Sequence, residues 1–79
     1  MYVTINDLVT YESVDRIATI TINRAERMNA LNEEIIIGLQ RAWQHLEQSD
    51  DRVAVLHATG DKAFSVGADV QDPPKEMWQ

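Results

Sequence analysis

Ile17-Ala18-Thr19-Ile20-Thr21-Ile22-Asn23 and, further along, Val53-Ala54-Val55-Leu56-His57-Ala58 frame this chain, and the reading of its fold begins with them. In the first run Ala18, Ile20 and Ile22 fall on one face of an extended strand and Ile17, Thr19 and Thr21 on the other. The second run is apolar on both faces, the pattern of a strand covered on both sides. Between them a helix is expected to start near Asn32, a capping residue followed by Glu33 and Glu34, which complement the positive helix end. Ile36, Leu39, Trp43 and Leu46 recur every three or four residues and predict a buried stripe. Gly38 costs about 1 kcal/mol relative to alanine inside a helix, so its presence there suits a close approach by another element. Ser49-Asp50-Asp51 ends the helix. Strand, helix, strand makes a crossover, and the two strands should run parallel.

Upstream, Leu8-Val9-Thr10-Tyr11-Glu12-Ser13-Val14 is rich in β-branched and aromatic residues, and only Asp15-Arg16 separates it from the next run. That arrangement predicts an antiparallel hairpin, although the linking pair lacks the glycine a tight primed turn prefers. Residues 24–31 form a charged connector without a clear period, and Thr59-Gly60-Asp61-Lys62 reads as a turn. The fold class is therefore α/β.

Composition narrows the function. The chain has 79 residues, with 7 Lys and Arg against 13 Asp and Glu, a formal charge of −6. That sign, without a basic cluster, argues against nucleic-acid and anionic-membrane partners. No apolar run approaches the roughly 18 residues that span a bilayer, and the opening residues do not resemble a signal peptide. The expected location is cytoplasmic. The absence of cysteine excludes disulfides, thiolate nucleophiles and cysteine-based metal sites. His45 and His57 have no second ligand at metal spacing and read as structural or solvated; no metal is expected. Tyr11, Trp43 and Phe64 read as packing residues. Ser13, Ser49 and Ser65 have no evident histidine partner.

Two segments carry the candidate chemistry. Phe64-Ser65-Val66-Gly67-Ala68-Asp69 follows a strand at its carboxyl end, where open α/β sheets bind ligands. Gly67 lets the backbone turn, and Ala68 adds little bulk. If Ala68 opens a helical turn, its free N–H is available to an oxygen that gains negative charge during a reaction. An ordinary strand-to-helix turn would carry the same residues. Arg24 and Arg27 in the connector are suited to a ligand phosphate, and equally to nearby carboxylates on a solvated loop.

Taken together, residues 20–32, the helix, Val53-Ala54-Val55-Leu56, Gly60 and Lys62-Ala63-Phe64-Ser65-Val66-Gly67-Ala68-Asp69-Val70 resemble the crotonase (enoyl-CoA hydratase/isomerase) superfamily. The resemblance covers residues 8–72 in order, with Ala25 standing where the family usually has proline. It implies the N-terminal part of a crotonase-like ββα spiral fold: β-hairpin, helix, parallel strand and oxyanion loop, incomplete as given. Residues 1–79 would be one portion of one such domain. The resemblance also implies an acyl-CoA substrate whose coenzyme A takes the place of any separate cofactor. The Ala68 backbone N–H matches the first oxyanion donor. Val66, Gly67, Asp69 and Val70 match the loop lining the acyl-CoA tunnel, and Arg27, Met28 and Ala30 match adenosine and pantetheine contacts. In the family a second donor and catalytic glutamates follow in later segments absent from these residues. Loss of a donor costs about 10²–10³ in turnover and loss of proton-transfer groups about 10²–10⁴, so the 79 residues alone are expected to be inactive. The full-length form is expected to hydrate a 2-enoyl-CoA as a homotrimer or hexamer. Isomerisation, another crotonase reaction or a non-catalytic binding module are the alternatives. The closing hydrophobic pair Met77-Trp78 reads as continuation into further structure.

Overall fold

The computed structural model of the chain describes residues 1–72 and residue 74; the pair Met77-Trp78 lies outside the described residues. A four-stranded sheet, in the order β1-β2-β3-β4, carries one helix on a single face. The strands are β1 (Tyr2–Thr4), β2 (Val9–Val14), β3 (Ile17–Ile22) and β4 (Val53–Ala58). The helix α1 spans Glu33–Glu47.

β2 and β3 form the expected hairpin, with Tyr11 opposite Ile20 and Val14 opposite Ile17. Asp15 and Arg16 link them at φ +52° and +64°. A primed turn therefore forms without glycine, because its two positive φ angles suit the right-handed twist of the flanking strands. β1 adds an antiparallel edge that periodicity did not reveal; three residues are too few to show one. β4 pairs parallel with β3, Ile20 lying beside Leu56.

The helix cap is as the sequence predicts: Asn32 Oδ1 accepts the Ile35 N–H at 3.0 Å. The buried stripe is rotated by about one position from the expected one. Ile35, Gly38 and Ala42 are buried, Leu39 and Leu46 pack at its flank, and Trp43 is 46% exposed. The cause is visible at Gly38. A Cβ there would lie 2.6 Å from Val9 Cγ2, so the helix backbone itself rests on β2 and turns the larger side chains outward. The core comprises Val9, Tyr11, Ala18, Ile20, Ile22, Ile35, Ala42 and Ala58.

β4 departs from the expectation of a strand covered on both faces. Val53 is 55% and Val55 47% exposed, and no described element covers them or pairs with the outer edge of β4. Phe64 is likewise exposed, whereas His45 stands edge-on to the buried Tyr11 ring, with centroids 4.5 Å apart. His57 is solvated.

Candidate functional site

The parallel pair β3 and β4 delivers two connections to the same end of the sheet: residues 23–32 after β3 and residues 59–70 after β4. The first contains a single 3-10 turn at Ala25–Arg27, then Met28 and Asn29 in the left-handed region at φ +51° and +55°. Asparagine tolerates that region better than most residues. Here it also places a buried carboxamide between the two connections. Asn29 Oδ1 accepts the Arg24 N–H at 2.9 Å, and Nδ2 donates to the carbonyls of Thr59 at 2.8 Å and Ala63 at 3.3 Å. The Asn29 carbonyl accepts the Ser65 hydroxyl at 2.8 Å.

The second connection turns at Gly67, whose φ of +91° only glycine adopts without strain. It then meets the first in an isolated parallel bridge between Leu31 and Ala68. Leu31 N–H donates to the Gly67 carbonyl at 2.8 Å, and Asp69 N–H donates to the Leu31 carbonyl at 2.9 Å. In a parallel pairing one residue bonds to the two neighbours of its partner, so the partner's own polar groups point the other way. Ala68 is that partner. The Gly67 N–H is taken by Ser65 Oγ at 3.1 Å. Of these three successive amides, Ala68's is the one without a hydrogen-bond partner among the described residues. Ala68 does not open a helical turn among the described residues; its N–H lacks a partner there because of the bridge.

Asp69 is 3% exposed and faces inward. Its Oδ2 accepts from Arg24 Nη1 at 2.7 Å, and the same nitrogen donates to the Ala30 carbonyl at 2.9 Å. Oδ1 accepts the N–H groups of Gln71 at 2.9 Å and Asp72 at 3.2 Å. The Arg24 guanidinium, followed by these backbone donors, holds the Asp69 carboxyl below the usual carboxylate range. Arg24 is therefore committed to a carboxylate and a carbonyl, the alternative that a solvated connector left open. Arg27, 45% exposed, donates to Gln71 Oε1 at 3.0 Å and stands 3.7 Å from Asp69.

A hollow of about 290 Å³ opens beside the bridge. It brings together Arg27, Ala30, Val66, Ala68, Asp69 and Val70, six of the eight residues singled out from the sequence. Gly67 shapes its wall without lining it. Met28 lines a different hollow of about 330 Å³, with Ala25, Thr59 and Lys62. Asn29 and Ser65 were not anticipated as residues that hold the loop, and for Arg24 the sequence indicated a nearby carboxylate without marking it as Asp69. Their long-range partners lie 30 to 45 residues away, beyond any local pattern. Among the described residues no group of acidic or histidine side chains could hold a metal ion, and no helix is long and apolar enough to cross a membrane.

The family model for enoyl-CoA hydratase/isomerase matches residues 12–79. The (E)-benzylidenesuccinyl-CoA hydratase of Thauera aromatica is 39% identical over 67 residues, covering 84% of this chain and 26% of that protein. A short-chain-enoyl-CoA hydratase of Clostridium acetobutylicum is 34% identical over 70 residues, covering 87% and 26%. The solved structure of a carnitinyl-CoA dehydratase from Mycobacterium avium superposes with a TM-score of 0.80 at 33% identity, over 87% of this chain and 27% of that one. The chain thus spans about a quarter of the length of these relatives. With sheet, helix and loop alike in order and shape, the chain belongs to the enoyl-CoA hydratase/isomerase family and corresponds to the N-terminal part of its crotonase fold.

Proposed function

We propose that the full-length protein binds an acyl-CoA thioester and hydrates a 2-enoyl-CoA. The observation that carries this reading is the Ala68 amide, which has no partner among the described residues and stands beside a hollow while the amides of Gly67 and Asp69 are bonded. A thioester carbonyl seated against that N–H is polarised, and the conjugated C3 carbon becomes open to attack. Water loses one proton to a base as its oxygen bonds to C3, and the π electrons move toward the carbonyl oxygen as an enolate. A proton delivered to C2 then completes the 3-hydroxyacyl product. A donor fixed before reaction stabilises the enolate oxygen without reorganisation.

In this reading Val66, Gly67, Asp69 and Val70 border the acyl end, while Arg27, Met28 and Ala30 meet the pantetheine and adenosine end. The exposed Arg27 is better placed than the committed Arg24 for a phosphate. The Asp69 carboxylate serves by holding the loop. The second donor and the acid–base groups belong to later segments of the family, so residues 1–79 alone are inactive. The resemblance to the family implies a homotrimer or hexamer, which sedimentation of the full-length protein tests.

Loss of the crotonyl-CoA enoyl absorbance measures the reaction. Ala68→Pro deletes the N–H without removing a hydrogen bond the fold uses, and it is expected to lower kcat by about 10²–10³. Undiminished hydration by that variant would remove Ala68 from the mechanism.

A further inference from the structure

Two sets of tethers flank Ala68, one on each side, and both end on the connector that follows β3. On the N-terminal side, the Ser65 hydroxyl donates to the Asn29 carbonyl and accepts the Gly67 N–H. On the C-terminal side, the Asp69 carboxylate grips Arg24 Nη1, which also donates to the Ala30 carbonyl immediately before the bridge residue Leu31. Arg24 and Asp69 are 11% and 3% exposed, so their ion pair is little screened by water. The Leu31–Ala68 bridge is isolated, with no neighbouring ladder among the described residues to fix its geometry. The tethers must supply what a continuous sheet would otherwise supply. They act where accuracy matters, because a misplacement of about 1 Å can cost about 10² in rate.

We infer that Arg24 and Asp69, with Ser65 as the opposite tether, are positioning residues that clamp the Leu31–Ala68 bridge and thereby aim the Ala68 N–H at a thioester oxygen. This rests on the proposed function of the Ala68 amide and extends it to side chains that do not themselves touch the substrate. Deletion of the clamp leaves the amide present but free to swing. The loss then falls on carbonyl polarisation rather than on the fold.

The test uses the full-length protein with a bound aryl-substituted enoyl-CoA, whose thioester carbonyl stretch is read by difference infrared spectroscopy at saturating protein. Polarisation by the wild type lowers the stretching frequency. Asp69→Asn and Arg24→Met are expected to lose at least half of that displacement and 10- to 100-fold in kcat. Arg24→Lys should restore most of both, because one ammonium group has donors for both Asp69 and Ala30. Ser65→Ala provides an independent arm, should the charge variants fail to fold. As a control, Asp51→Asn breaks bonds to Tyr11 and Ser13 at the far end of the helix, and should lower Tm while leaving the displacement intact. Full displacement retained in folded Asp69→Asn or Ser65→Ala overturns the clamp while leaving the role of Ala68 standing. Absence of displacement in the wild type overturns the role of Ala68, and the clamp with it.

Discussion

Gly67 illustrates how little a single residue must do to make this site. Its φ is +91°, yet a Cβ built there meets nothing within 4 Å. Among the described residues, the requirement for glycine is one of backbone conformation alone, with no steric neighbour to accommodate. Gly67→Ala should therefore destabilise the chain by about 1–2 kcal/mol in a denaturant melt, the cost of a left-handed residue with a Cβ. A larger loss would mean that the loop is displaced. Asn29 shows the opposite case, a residue whose value lies in its partners. Its carboxamide meets one amide and two carbonyls while fully buried, and its left-handed φ directs it between the two connections. The Asn29 identity was visible in the sequence, but nothing beside it announced this role, because Thr59 and Ala63 are distant along the chain.

At the scale of elements, the helix separates two kinds of information. Its start at Asn32 and its amphipathic character are local, set by a cap and a period of 3.6 residues, and the sequence predicts both. Which residues meet the sheet depends on the shape of the partner. Trp43 is pushed outward because Gly38 admits Val9 and Asn6 to within 2.8 Å of where a Cβ would stand. Gly38→Ala sets these two levels against each other. Helix propensity favours alanine by about 1 kcal/mol, while overpacking against β2 costs about 1–3 kcal/mol. The thermal melt should shift downward. An upward shift would mean that Val9 and Asn6 yield without cost. The pairing of β3 with β4 belongs to this scale too. Their parallel direction follows from the intervening helix, and it delivers both candidate segments to one end of the sheet.

At the scale of the molecule, two carboxylates and one phenol among the described residues link stability to pH. Asp69 is held low by Arg24, and Asp51 by hydrogen bonds from Ser13 and then Tyr11. Groups depressed on folding contribute stability above their unfolded pKa of about 4, and that stability is lost as pH falls through the lower folded values. Tyr11 is raised, first by burial and then by its bond to Asp51. Its contribution is complete below the unfolded value of about 10 and disappears as pH rises through the higher folded one. Tm should be flat between these limits and fall beyond each. Asp51→Asn should flatten part of the acid limb, and Tyr11→Phe part of the alkaline limb. Unchanged limbs in both variants would assign the pH dependence to other groups.

The elements that depend on near neighbours, namely the hairpin, the capped helix, the parallel strand and the loop at its end, can be read directly along the chain. The sequence also marked most of the residues that line the hollow, since small residues around a glycine and the order of the motifs can be read along one dimension. Which face of the helix is buried, how Arg24 and Asp69 meet across 45 residues, and why the Ala68 N–H has no partner among the described residues all depend on packing in three dimensions. Those outcomes arise from strands and connections brought side by side, and a hydrogen bond between distant segments leaves no periodic trace in either of them.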